Sequence, residues 1–179
     1  MKKSLKVAFG GIISAFSVIL ILLGNVPFGE YLGPTCAGLV LVWAVEELGE
    51  LTSLGIYLAS SVLAFFLSGN KEPALLYILF FGYFPILRDL LIRKVKIKAL
   101  AWVIKFLVFN ATMVIAYFIL IYVFGMPLED LQGLGKYGIY ILLACGNILL
   151  VVLDFCIGKL LLLYRHKWQK RVRNLMKKK

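Results

Sequence analysis

Six apolar runs, separated by short polar breaks, organise the chain. A helix crosses a bilayer with about 20 apolar residues, because each residue adds about 1.5 Å of length. The runs that approach or exceed this length predict spans over residues 7–24, 31–45, 51–68, 74–92, 99–125 and 137–164. The pattern therefore predicts an all-α membrane protein, a compact bundle of six transmembrane helices that forms a single domain over residues 1–179.

The composition agrees with this pattern. Hydrophobic residues make up 62% of the chain before its 16 glycines are counted, whereas a soluble domain has about 45–50% with glycine included. A domain of this size leaves much of its surface exposed, so the excess cannot be buried in one core. Soluble enzymes, nucleic-acid-binding modules and disordered chains are excluded.

Basic residues collect in three of the breaks. Lys and Arg number 20 against 9 Asp and Glu, a net charge of +11, and most of the basic residues lie in segments 2–6, 88–98 and 165–179. Basic clusters beside apolar runs mark cytoplasmic loops and attract anionic lipid headgroups. We therefore expect a multi-pass protein of the cell (plasma) membrane with both termini cytoplasmic, and anionic headgroups rather than nucleic acid as its partner.

The break between the second and third predicted spans is unusual because it is acidic. It carries Glu46, Glu47 and Glu50. Glu46 and Glu50 are four residues apart, so on a helix they share a face that would accept a basic helix from a partner. A solvated loop is the simpler expectation.

Residue types that support catalysis are scarce. The three cysteines, Cys36, Cys145 and Cys156, each lie inside an apolar run without a C-x-x-C pair, so we expect buried free thiols. The single histidine, His166, lies in the basic tail, and no Walker A, H-E-x-x-H or G-x-S-x-G sequence occurs. We expect no metal, no cofactor and no enzyme activity.

Small residues give the first predicted span a face that another helix can approach closely. Gly11 and Ala15 are four residues apart in this span, the spacing of a small-x-x-x-small motif. Packing within the bundle is the simpler interpretation, and docking of a partner helix is the functional one.

A few polar residues fall at membrane depth. Lys105 and Asn110 lie in the fifth predicted span, while Asn147 and Asp154 lie seven residues apart, on one face of the sixth. Lys105 and Asp154 lie at similar depth and are expected to form an ion pair, with Lys159 as a competing partner. Because an unpaired intramembrane charge is costly, both a structural pair and a substrate or proton site remain open.

The breaks expected to face outward supply candidate ligand contacts. Such groups would line a cavity that opens outward and binds a small molecule, or would be ordinary solvated turns. The candidates are Asn25, Glu30, Tyr31, Thr35, Asn70, Glu72 and Tyr77, with Asn110 and Asn147 deeper in the bundle.

The layout resembles the S components, the substrate-binding membrane subunits of energy-coupling factor (ECF) transporters. The resemblance rests on a lysine-led first span with Gly10, Gly11 and Ala15, a proline-bearing break over 25–33, the small-residue segment 35–38, and six spans in 179 residues. It implies capture of a vitamin or similar small nutrient under the first outer loop, here residues 25–35. It also implies a transmembrane coupling subunit docked on Gly11 and Ala15, with separate ATPase subunits.

A non-catalytic scaffold of the cell-shape or cell-wall machinery is the alternative, since the MreD proteins have a similar layout. A scaffold predicts no ligand cavity, and contacts made through the lipid-facing sides of the helices.

Overall fold

The computed structural model describes residues 3–26, 29–119, 138–167 and 169. Within these ranges every regular element is helical. A 3₁₀ turn, Leu23–Asn25, follows the first helix, and a π-helical segment, Tyr77–Phe81, lies between the fourth and fifth. The helices are α1 (Lys3–Leu22), α2 (Gly29–Leu48), α3 (Glu50–Leu67), α4 (Lys71–Leu76), α5 (Tyr83–Lys94), α6 (Lys98–Phe118) and α7 (Gly138–Lys167).

Six helices are long and apolar enough to cross a membrane, which confirms the all-α six-helix class. One of these spans combines α4, the π segment and α5 into a continuous stretch over Lys71–Lys94. The predicted bounds are close but not identical, since α1 begins at Lys3 rather than Val7 and α7 ends at Lys167 rather than Tyr164. The predicted end of the fifth span, residue 125, lies outside the described residues.

Successive spans run in opposite directions, so the described connections alternate between two ends of the bundle. One end, called the basic end here, brings Lys6 beside Leu48 and Arg93 beside Glu50. The opposite end, called the far end, brings Gly24 beside Pro73. Described members of all three basic segments, Lys6, Arg93 and Arg165, lie at the basic end.

The core consists of three apolar clusters. The first lies toward the basic end and the second toward the far end, both among α1 to α5, and the third attaches α6 and α7 to α2 and α5. The third cluster is formed by Val42, Phe84, Phe109, Leu150 and Ile157. The outer sides of α6 and α7 carry exposed apolar side chains such as Leu107, Ile148 and Leu163, as expected of helices that face lipid.

Helix α2 is the central element because glycines let its neighbours approach its backbone. A Cβ on Gly33 would lie 2.4 Å from the Leu20 carbonyl oxygen, and a Cβ on Gly38 would lie 2.8 Å from that of Phe81. Both distances are too short for any side chain, so these positions require glycine. The close contacts hold α2 against α1 on one side and the π segment on the other.

The expectation of a solvated acidic loop is wrong. Helix α2 continues through Glu46 and Glu47 to Leu48, and α3 begins at Glu50, so Gly49 alone connects the two helices. Gly49 has φ of 90°, a backbone conformation that favours glycine. Two glutamates in the last turn of α2 oppose the helix dipole, so they require nearby cations.

The expectation of buried thiols is also wrong. All three cysteines, Cys36, Cys145 and Cys156, lie on exposed sides of their helices. Lipid is as apolar as a protein core, so an apolar run does not reveal which of its residues face inward. The cysteines belong to the surface that would contact lipid.

Candidate functional site

Gly10 and Gly11 lie on different sides of α1. A Cβ on Gly10 would contact α3, 3.6 Å from Ile56 Cγ1 and 3.8 Å from Thr52 Cγ2. A Cβ on Gly11 would meet nothing within 4 Å, and both Gly11 and Ala15 are exposed. Within the described part of the chain, α1 packs through Gly10 and leaves the side formed by Gly11 and Ala15 uncovered. We call that side the small face of α1.

Asp154 is bound by two cations inside the bundle. Lys105 Nζ lies 2.7 Å from Asp154 Oδ1, which is the expected ion pair, and Arg88 Nε lies 2.9 Å from the same oxygen. The side chains are 5% exposed for Lys105 and 13% for both Arg88 and Asp154. Lys105 Nζ also lies 4.7 Å from the centre of the Trp102 ring. These three charged residues, called the charge cluster here, carry a formal charge of +1.

Sequence reasoning missed the role of Arg88. Arg88 is counted with the basic break although the predicted span 74–92 includes it, and the structure places it within α5. Lys159, the expected competitor for Asp154, instead lies on the surface with its Nζ 5.4 Å from the centre of the Phe155 ring. Arg88 is therefore the second cation that binds Asp154.

Asn110 and Asn147 bind each other. Asn110 Nδ2 donates to Asn147 Oδ1 at 3.1 Å, and Asn147 Nδ2 donates to Asn110 Oδ1 at 3.2 Å. The remaining amide hydrogens bind the carbonyl oxygens of Phe106 and Leu143, each at 2.8 Å. All the donors of both amides are used. The asparagine pair joins α6 to α7, and the charge cluster joins the same two helices at another depth. For both groups this favours a structural role over a substrate or proton site.

Two of the ligand candidates meet at a cavity near the far end. Tyr31 of α2 and Glu72 of α4 line this cavity of about 150 Å³. Its volume is below the range of about 300–1,000 Å³ that is usual for small-molecule sites. The remaining lining residues are apolar: Leu75, Leu76, Leu79, Phe80 and Ala116.

Other candidates at the far end have local structural roles. Thr35 Oγ1 donates to the Tyr31 carbonyl oxygen at 2.6 Å, which is a bond within α2. Asn70 caps α4, with its Oδ1 accepting from the Glu72 amide at 3.1 Å. Tyr77 is fully buried and shares a hydrogen bond of 2.9 Å with Ser60 Oγ. None of these three lines the far-end cavity.

The last two candidates precede or begin α2. Glu30 lies half-buried in the first turn of α2, where a negative charge favours the helix. The side chain of Asn25 lies outside the described part of the chain.

The acidic end of α2 binds the end of α7. Glu46 accepts two bonds from Arg165, with its Oε1 2.9 Å from Nε and its Oε2 2.8 Å from Nη2. Tyr164 donates to Glu47 Oε1 at 3.1 Å and accepts from Trp43 Nε1 at 2.9 Å. The basic helix that meets these glutamates therefore belongs to the same chain. Charge pattern alone did not indicate a contact between segments so far apart in the sequence.

Comparison of the chain with protein-family models, curated proteins and solved structures finds no match. Its function is therefore inferred from the residues and contacts described above.

Proposed function

We propose that the protein is the substrate-binding membrane subunit of an uptake system for a vitamin or similar small nutrient. In this proposal separate coupling and ATPase subunits supply the energy, as in the ECF transporters whose S components the chain resembles. The protein itself binds and carries the nutrient and catalyses no reaction.

The observation that carries the proposal is the small face of α1. Gly10 packs against α3, whereas Gly11 and Ala15 are exposed and a Cβ on Gly11 would meet nothing within 4 Å. Helices associate in membranes through van der Waals contact, and small residues let two backbones come close. A coupling subunit is the partner that the resemblance implies for this face.

The far-end cavity supports the ligand-binding part of the proposal. It combines apolar walls with one carboxylate, Glu72, and one phenol, Tyr31, which is the mixture expected of a site that orients a small ligand. A vitamin needs more than the 150 Å³ present. The proposal therefore requires that the helices lining the cavity, α4 and α6 among them, move apart when the nutrient binds.

The small face of α1 is tested by enlarging it. Gly11→Trp or Ala15→Trp should reduce co-purification with a coupling subunit by at least about tenfold, since a bulky ring prevents close helix approach. Both side chains would point away from the bundle, so the variants should retain the thermal stability of the wild type. Pull-down from co-expressing cells and a melting curve measure the two effects.

Ala111→Trp is the matched control, because Ala111 is an exposed alanine within α6. This variant should bind the coupling subunit normally. Full complex formation by both α1 variants would contradict the proposed interface, and equal loss in all three would indicate a general effect of the added ring.

Ligand capture is tested with purified protein and a panel of vitamins. We expect one compound to raise the melting temperature, because binding to the native state stabilises it. Glu72→Gln should weaken the binding of that compound by about tenfold or more. This is the effect expected when a charged hydrogen-bond partner is lost. Glu50→Gln, a change of the same kind at the opposite end of the bundle, should leave the affinity unchanged.

The alternative scaffold function predicts a different result. Folded protein that shows no thermal shift with any compound, and no bound small molecule in its mass spectrum after gentle purification, would contradict the transport proposal. Association with cell-wall proteins in the same preparation would then favour the scaffold.

A further inference from the structure

A second cavity lies between α5 and α7 in the basic half of the bundle. Its volume is about 430 Å³. Arg88 and Ile92 line it from α5, and Phe155, Lys159 and Leu162 line it from α7. Nothing in the proposed transport function uses this cavity.

Arg88 presents free hydrogen-bond donors to this cavity. Its Nε binds Asp154, but no hydrogen bond of Nη1 or Nη2 occurs among the described residues, although a guanidinium carries five N–H donors. A Cβ on Gly158 would lie 3.1 Å from Arg88 Nη2. The absence of a side chain at Gly158 therefore lets the guanidinium lie against the backbone of α7.

The cavity has an excess of positive charge. The charge cluster contributes one net positive charge, because Asp154 is shared by Arg88 and Lys105. Lys159 contributes another, since it is exposed and forms no ion pair within the described part of the chain. The two remaining charged residues of the wall are already paired, Arg165 with Glu46 and Asp89 with Arg93.

This excess lies at membrane depth. Arg88 precedes the end of α5 at Lys94 by six residues, which corresponds to about 9 Å along the helix. A charge without a counter-ion inside a membrane is costly. An anion in the cavity would remove this cost.

The rim of the cavity indicates where that anion comes from. Ile92, Phe155 and Leu162 are 57%, 64% and 63% exposed, and in a spanning helix such side chains contact hydrocarbon. The entrance therefore favours a molecule that carries an anionic group on an apolar body. Acidic phospholipids combine these properties and concentrate beside basic protein segments.

We propose that this cavity binds an acidic phospholipid. Its phosphate lies between Arg88 and Lys159 and accepts hydrogen bonds from both, and its acyl chains lie along Phe155 and Leu162. The lipid supplies the negative charge that the charge cluster lacks and fills the space between α5 and α7.

Native mass spectrometry of the full chain in detergent tests the proposal. Phosphatidylglycerol should bind more tightly than phosphatidylcholine, which is zwitterionic. Lys159→Gln should weaken phosphatidylglycerol binding by about fivefold, the effect of one basic residue near a lipid phosphate. Lys96→Gln removes an exposed lysine at the same end of the bundle but outside the cavity, and should change the affinity by less than about twofold.

A second variant acts on Arg88 without changing the charge. Gly158→Ala places a methyl group against the guanidinium and should also weaken phosphatidylglycerol binding. Alanine favours the helix more than glycine does, so folding should not suffer. Gly55→Ala is the matched control, because a Cβ there meets nothing within 4 Å.

Three results would overturn the proposal. Equal affinity for the two lipids would show that charge does not select the ligand. If Lys159→Gln and Lys96→Gln weaken phosphatidylglycerol binding equally, the lipid does not bind in the cavity. Displacement of phosphatidylglycerol by millimolar inorganic phosphate would indicate a site for free anions, whereas retention of the lipid supports the proposal.

Discussion

Asp154 holds two cations with one carboxylate oxygen, so the three residues of the charge cluster are not equivalent. Removal of the carboxylate leaves Arg88 and Lys105 facing each other without a counter-ion. Removal of Lys105 leaves Arg88 and Asp154 as a neutral pair 2.9 Å apart. Breaking a buried pair costs most when it leaves an uncompensated charge.

The charge cluster therefore predicts an asymmetry between two substitutions. Asp154→Asn should lower the free energy of unfolding by about 3–5 kcal/mol, because two buried cations lose their partner. Lys105→Met should lower it by less than about 1 kcal/mol, because the remaining pair is neutral and methionine replaces the buried aliphatic chain. Unfolding in mixed detergent micelles, followed by circular dichroism, measures both changes.

Lys98→Gln serves as the surface control for that comparison, since Lys98 is exposed at the start of α6. It should leave the unfolding free energy unchanged. Equal losses for Lys105→Met and Asp154→Asn would contradict the sharing of Asp154 between two cations.

At the scale of elements, the connection between α2 and α3 is a single residue. Gly49 has φ of 90° and ψ of 167°, a combination that only glycine adopts readily. A Cβ at this position would meet nothing within 4 Å. The requirement for glycine is therefore conformational and does not arise from crowding.

Gly49→Ala should lower the free energy of unfolding by about 1–3 kcal/mol, the cost of holding alanine in this conformation. Gly69→Ala is a matched control at the connection between α3 and α4. A Cβ on Gly69 also meets nothing within 4 Å, and Gly69 has no positive φ. The control should be neutral or slightly stabilising, and a loss equal to that of Gly49→Ala would contradict the conformational explanation.

The ends of α2 and α7 form a second inter-element contact. Glu46 and Glu47 lie in the last turn of α2, and Arg165 and Tyr164 bring hydrogen-bond donors to them. This contact holds α7 at the basic end, while the charge cluster and the asparagine pair hold it to α5 and α6 within the membrane. Helix α7 is therefore attached along one side by polar contacts and by the third apolar cluster, and its opposite side is apolar and exposed.

At the scale of the whole molecule, the charge is distributed unevenly between the two ends. The basic end combines Lys6, the segment 93–98 and Arg165, whereas the described connections of the far end carry Lys71 beside Glu72. Basic residues next to spans remain in the cytoplasm. From this distribution we propose that the basic end faces the cytoplasm and that the far-end cavity faces outward.

Cysteine labelling in intact cells tests this orientation. Gly69→Cys should react with a membrane-impermeant maleimide added outside, and Lys96→Cys should react only after permeabilisation. Cys36, Cys145 and Cys156 are exposed, so all three are first replaced by serine. The reverse labelling pattern would contradict the proposed orientation, and with it the entry of a nutrient at the far end.

Much of this architecture follows from the sequence alone. A membrane-spanning helix requires about 20 apolar residues and satisfies its own backbone, so the number and approximate bounds of the spans are determined by the apolar runs. Because the rise per residue of a helix is constant, counting from the ends of the predicted spans also predicts that Lys105 and Asp154 lie at similar depth. Charged residues are rare in spans, so each one that occurred was a candidate for a contact.

The tertiary structure decided which side of each helix faces the protein. Lipid and core are both apolar, so neither the direction of Gly11 nor the exposure of the cysteines is encoded in a hydrophobic pattern. Contacts between distant segments, such as Arg88 with Asp154 and Arg165 with Glu46, depend on how the helices are arranged around α2. Only that arrangement reveals the small face of α1 and the two cavities, because each is formed by a relation between helices and not by any helix alone.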